Sequence, residues 1–71
     1  MEVFKQMTDD YVLYEISNYG NVRNFQTNKI LKQRIDSNGY AIVLLRDKNN
    51  IRKWVHVSDL IAYYIYDHVP F

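Results

Sequence analysis

The chain has no cysteine, two glycines, one proline and two histidines, and its net charge at neutral pH is only +1. Without cysteine, neither a disulfide nor a thiolate–zinc site can hold the fold together. So little glycine and proline argues against a disordered chain. No apolar run approaches the roughly 20 residues of a membrane-spanning helix, and no signal-peptide pattern opens the chain. A soluble, cytoplasmic protein is expected, with no membrane partner.

What is present suits a small packed core. The 71 residues are 48% apolar and include seven tyrosines, three phenylalanines and one tryptophan. Aromatic side chains bury large areas and keep a polar edge for the surface, which matters near the lower size limit for unaided folding. The charge is unevenly spread. Residues 1–20 set Lys5 against Glu2, Asp9, Asp10 and Glu15, a net −3. Residues 21–56 set Arg23, Lys29, Lys32, Arg34, Arg46, Lys48, Arg52 and Lys53 against Asp36 and Asp47, a net +6. Residues 57–71 add Asp59 and Asp67. A basic middle between acidic ends points to a polyanion-facing surface, with ordinary solvated strand faces as the alternative.

Periodicity divides the chain into short strands and one helix. In residues 12–17, Val12, Tyr14 and Ile16 alternate with Leu13, Glu15 and Ser17, the period of a half-buried strand. Asn18 to Asn21 forms a turn around Gly20, and residues 21–25 return as a short strand. A second turn at residues 26–29 leads to an extended piece over residues 30–35, and Asp36-Ser37-Asn38-Gly39 is the strongest turn signal. Residues 40–46 are apolar enough for a central strand. Residues 47–50 turn the chain into residues 51–57, where Ile51, Lys53, Val55 and Val57 oppose Arg52, Trp54 and His56. Ser58 then suits a helix cap and Asp59 the positive end of the helix dipole. Leu60 over Tyr64 and Ile61 over Ile65 give the helical spacing. The expected fold is α+β: one small antiparallel sheet of four to five strands with two hairpins, spanning residues 11–57, and one C-terminal helix over about residues 58–67 packed on it. The whole chain, 1–71, forms a single domain.

Catalytic chemistry has few candidates. His56 and His68 lie on different elements with no cysteine beside them, so no metal site is expected. Asp9 and Asp10 are adjacent and point apart in an extended chain, and no nucleophile–base spacing or phosphate-cradling glycine loop occurs. The chain is expected to be no enzyme and to carry no cofactor.

The segments Phe4-Lys5, YEISNYGNVRN (residues 14–24), Ile30-Leu31-Lys32, NGYAIVLL (residues 38–45) and LIAYYI (residues 60–65) occur in a familiar order and spacing. Together they resemble the fourth type of nuclease-associated modular DNA-binding domain, which precedes the catalytic part of HNH homing endonucleases of phages and mobile introns. The likeness covers nearly all of the chain, and Ser17 to Arg23 is its most specific part. It implies a small antiparallel sheet that lies along DNA and positions a nuclease. Ser17, Asn18, Gly20, Val22, Arg23, Leu31, Lys32, Gly39, Tyr40, Val43 and Leu45 match the family pattern. Of these, Val22, Leu31, Tyr40, Val43 and Leu45 are expected in the core, Gly20 and Gly39 in turns, and Arg23 and Lys32 at contacts. Two departures stand out. The chain has no HNH segment, so the cleavage chemistry is not expected. Ser58 and Asp59 replace the family's His-Arg pair, so an anion stands where the family has a cation.

The resemblance and the basic strands together imply a stand-alone DNA-binding module of phage or mobile-element origin. Duplex DNA would be held mainly through phosphates by Arg23, Lys32, Arg34, Arg52 and Lys53, with Asn24 near the bases. The alternative is a phage protein that reuses the scaffold to bind and inhibit a host protein, such as a CRISPR or other defence nuclease. Tyr11, Tyr19, Tyr63 and Tyr66 would then be anchors beside Asp59, since aromatic residues are enriched at binding hot spots. Self-association through an open sheet edge is a third possibility.

Overall fold

A computed structural model of the chain describes residues 1–66. Six strands form two three-stranded antiparallel sheets, where four to five strands in one sheet are expected from the sequence. The first sheet runs β1 (Phe4–Gln6), β2 (Tyr14–Ser17), β3 (Val22–Asn24), and the second β4 (Gln33–Ile35), β5 (Ala41–Arg46), β6 (Arg52–His56). A 3-10 turn at Asp9–Tyr11 separates β1 from β2. Helix α1 (Val57–Leu60) follows β6 directly and continues as a π-helical segment, Ile61–Ile65, in which the Tyr66 N–H donates to the Ile61 carbonyl. The expected helix end at Asp67 lies outside the described residues.

One type of turn builds the hairpins. At Ser17, Asp36 and Asp47 a side-chain oxygen accepts the backbone N–H groups two and four residues on. The residue three positions on then takes a positive φ: +86° at Gly20, +86° at Gly39 and +67° at Asn50. The side chain thus satisfies donors that the reversal would otherwise leave open, and glycine or asparagine tolerates the left-handed backbone. Asn24 works similarly in the turn after β3, accepting from the N–H groups of Gln26 and Thr27.

The two sheets and the helix share one core of Met7, Tyr14, Ile16, Val22, Val43, Leu45, Val57, Leu60 and Tyr64. Ile16, Val22, Val43 and Leu45 are wholly buried, and each such side chain stabilises the fold by about 1.5–3 kcal/mol. Leu60 and Tyr64 are buried one helical step apart, as their spacing predicts. Gly20 lies beneath the helix; a Cβ there would sit 3.5 Å from Val57 Cγ1 and from Ile61 Cδ1.

Several sequence expectations need correction. Tyr40 is 56% exposed rather than in the core, because it shares strand parity with the outward Ile42 and Leu44, not with Val43 and Leu45. Ser17 is fully buried although its parity places it on the polar face of β2, because it anchors the turn from inside. Val12 is exposed, since β2 begins only at Tyr14. The extended piece over residues 30–35 forms a strand only at Gln33–Ile35, with an isolated bridge between Ile30 and Arg23. Ser58 does not cap the helix: α1 starts one residue earlier, with His56 at the cap position and no side-chain cap hydrogen bond, leaving Asp59 in the first turn.

Candidate nucleic-acid interface

Strand pairing sorts the basic residues by face. In an antiparallel pair, directly opposed residues project to the same side of the sheet. Arg34 opposes Ile42, which opposes His56 across β5; Leu44 opposes Trp54, and Arg46 opposes Arg52. The core residue Val43 opposes Gln33 and Val55, and Leu45 opposes Lys53. The outer face of the second sheet therefore carries Arg34, Arg46 and Arg52 around Leu44, Trp54 and His56. Lys53 belongs to the opposite face, so consecutive Arg52 and Lys53 leave the strand on different sides.

This face is both basic and aromatic. The Arg34 guanidinium carbon lies 5.4 Å from the centre of the Trp54 ring, within cation–π reach. Trp54 remains 47% exposed. Tyr40 meets the His56 ring edge-on at 5.7 Å, and His56 Nε2 lies 3.2 Å from Asp36 Oδ2. The Asp36 carboxyl is held below its ordinary value, chiefly by the Tyr40 N–H, then by the Asn38 N–H and His56. Where β5 and β6 meet the first sheet, Arg46 and Arg52 flank a notch of about 220 Å³ with Tyr14, Leu44 and Leu45. The Tyr14 hydroxyl accepts the Arg46 backbone N–H at 3.1 Å, which fixes the strand at that point. Among the described residues, no carboxylate lies within ion-pair distance of Arg34, Arg46 or Arg52.

Arg23 is placed differently. Its Nε donates to Glu15 Oε1 at 2.7 Å from the directly opposed position on β2, and its guanidinium carbon lies 3.7 Å from the centre of the Phe4 ring. Both side chains of the ion pair are less than one third exposed. Arg23 thus ties the three strands of the first sheet together, and its charge is matched. Asn24 spends its side-chain oxygen on the following turn. Lys32 is exposed just before β4, two residues ahead of Arg34. Of the residues expected at DNA, the structure brings together Arg34 and Arg52. It adds Arg46 and Trp54, which the hairpin register across residues 47–50 identifies once the two strands are paired.

The most specific motif stretch, Ser17 to Asn21, is also occupied by architecture. Ser17 Oγ donates to Glu2 Oε2 at 2.7 Å, which also accepts Asn21 Nδ2 at 2.6 Å. These two bonds, Asn21 first, hold the Glu2 carboxyl below its ordinary value. Asn18 receives the Val3 N–H and donates to the Met1 carbonyl, so the motif staples the N-terminal segment to the first hairpin.

The residues of the protein-binding alternative divide as well. Tyr11, Tyr63 and Asp59 line one cleft with Asp9, Leu60 and Tyr64. Tyr19 is exposed at the tip of the β2–β3 turn and Tyr66 at the end of the π-helical segment, and neither lines that cleft.

Among the described residues there is no group of three or more His, Cys, Asp or Glu placed to hold a metal ion, and no helix long and apolar enough to cross a membrane. No curated protein and no solved structure matches the chain significantly. The family model of the NUMOD4 motif matches residues 2–46, from the Glu2 staple to the end of β5. NUMOD4 is a non-catalytic module associated with DNA binding in homing endonucleases. With more than half of its 71 residues matched, the chain belongs to the NUMOD4 family.

Proposed function

We propose that the protein is a non-catalytic DNA-binding module that lays the outer face of β4–β5–β6 against the phosphates of duplex DNA. The observation that carries this reading is the direct opposition of Arg46 and Arg52, with Arg34 on the same face and, among the described residues, no carboxylate within ion-pair distance of the three. Like charges directly opposite each other on a sheet are destabilising. A bound phosphate would relieve that repulsion, and arginine offers the forked donors that match it. Trp54 and Leu44 supply apolar surface for sugars or base edges, while Arg23, held by Glu15, supports the sheet without leading the contact.

Because phosphate contacts release counterions, affinity should fall with salt, the log–log slope being roughly −0.9 per phosphate contact. Three arginine contacts predict a slope near about −3. Fluorescence anisotropy of a labelled duplex, titrated with the protein at several salt concentrations, tests this. Salt-sensitive binding that weakens on Arg46→Ala and Arg52→Ala supports the reading. Absence of binding at low salt, or binding indifferent to both substitutions, refutes it.

A further inference from the structure

A cleft of about 420 Å³ opens beside the helix, lined by Asp9, Tyr11, Asp59, Leu60, Tyr63 and Tyr64. Because α1 packs its buried Val57 and Leu60 with Val43 and Leu45, the cleft opens on the helix side of the second sheet; Asp59, at its rim, also lines a notch with Tyr40 and His56 at the edge of the outer face. The volume is within the usual range for ligand sites, and aromatic and aliphatic groups make up most of the wall. The rings of Tyr63 and Tyr64 meet edge-on at 4.7 Å. Tyr64 is anchored by its hydroxyl, which donates to the Thr8 carbonyl at 3.1 Å, and burial pushes its ionisation up. It therefore presents a fixed, neutral aromatic wall.

The charge at this cleft has one sign. Asp9 receives the Tyr63 hydroxyl at 3.4 Å and Asp59 is exposed in the first helical turn. Among the described residues no cation lies within ion-pair distance of either, whereas the neighbouring Asp10 is matched by Lys48 at 3.6 Å. Phosphate would be repelled here, so the cleft is no extension of a DNA surface. An apolar wall of aromatic rings with two carboxylates suits an aliphatic stem ending in a planar cation. Guanidinium groups combine carboxylate pairing with stacking on aromatic faces better than ammonium groups do.

We propose that this cleft docks an arginine-bearing segment of a protein partner, its stem against Leu60 and the tyrosines and its guanidinium within reach of Asp9 and Asp59. With the body of the cleft on the helix side and Arg34, Arg46 and Arg52 on the outer face of the second sheet, the domain can hold such a segment while the arginines are engaged. The cleft proposal does not depend on DNA binding, and either can fail alone.

The test is a nuclear magnetic resonance titration of the isotopically labelled full chain. The probes are a capped pentapeptide carrying two arginines and its citrulline counterpart, which keeps the shape and removes the charge. The expected result is saturable shifts at the amides of Tyr11, Asp59, Leu60 and Tyr63 with the arginine peptide. Affinity should be about threefold to tenfold weaker in Asp59→Asn and in Asp9→Asn, with spectra elsewhere unchanged. Equal binding of the citrulline peptide, shifts centred elsewhere, or affinity unaffected by both substitutions would overturn the proposal. So would duplex DNA shifting the same amides. Concentration-dependent shifts there in the free protein, matched by dimerisation in sedimentation, would assign the cleft to a second copy and overturn it equally.

Discussion

Replacing Ser17 by alanine tests how the most specific motif stretch acts. The hydroxyl is fully buried and makes three hydrogen bonds: to Glu2 Oε2 at 2.7 Å, from the Tyr19 N–H at 3.1 Å and from the Asn21 N–H at 3.0 Å. Alanine removes all three and puts nothing in their place. The Tyr19 N–H, in an exposed residue, can find water, but the Asn21 N–H sits in a half-buried turn. A buried donor left unsatisfied costs about 1–3 kcal/mol, and a hydrogen bond to a charged group contributes about 1.5–3 kcal/mol. Allowing for partial solvent access, the expected loss is about 2–3 kcal/mol. A domain of this size has roughly 4–10 kcal/mol in total, so Ser17→Ala should remove a large share and lower Tm by roughly 10–20 °C. Circular dichroism with urea and thermal melts measures it. Glu2→Gln is the control, because an amide oxygen can still accept from Ser17 and Asn21 and only the charge assistance is lost. A loss below about 0.5 kcal/mol for Ser17→Ala, or a larger loss for Glu2→Gln, would refute the assignment of Ser17 as the hub of the turn.

The carboxyls of Glu2 and Asp36 are both held below their ordinary values of 4.5 and 3.8. Their stabilisation is therefore present above those values and lost as pH falls through the lowered ones; the urea midpoint should drop below about pH 4.5, less steeply in Glu2→Gln, and an unchanged slope in that variant contradicts the Glu2 part. Gly20→Ala and Gly39→Ala should each destabilise by about 1–2 kcal/mol, because both turns need φ of +86° and neither site is blocked by sterics; calorimetry finding either variant more stable would contradict this. Arg23→Ala should cost about 1–2 kcal/mol of stability through Glu15 and Phe4 while leaving the salt slope of DNA binding nearly unchanged; a lost slope with intact stability would move Arg23 to the interface.

The hairpins are legible because their turns are local: a serine or aspartate followed three residues later by glycine or asparagine states its own geometry at Ser17, Asp36 and Asp47. Strand β1 is not, since Phe-Lys-Gln has no alternation, and its pairing of Phe4 with Ser17 arises only when the chain folds back. Met7, 1% exposed, is hidden from periodicity for the same reason. The division into two sheets, which share one core with the helix, is encoded in no local pattern. At the candidate site, charge density along residues 21–56 identifies a basic region but not its faces. Cross-strand register decides those, giving Arg46 and Arg52 to one surface, Lys53 to the other and Arg23 to an ion pair with Glu15. The motif residues Ser17, Asn18 and Gly20 are engaged by the fold itself, in the turn and in the staple to the N-terminal segment.

The most direct test of the interface is to compare the salt dependence of duplex-DNA binding in the wild type, in Arg46→Ala/Arg52→Ala and in Lys53→Ala. Each phosphate contact contributes roughly 0.9 to the slope. The double variant should therefore lose about two units of slope and Lys53→Ala, on the opposite face, almost none. Equal losses in the two variants, or a slope that survives removal of both arginines, would contradict the assignment of the outer face of β4–β5–β6 to DNA.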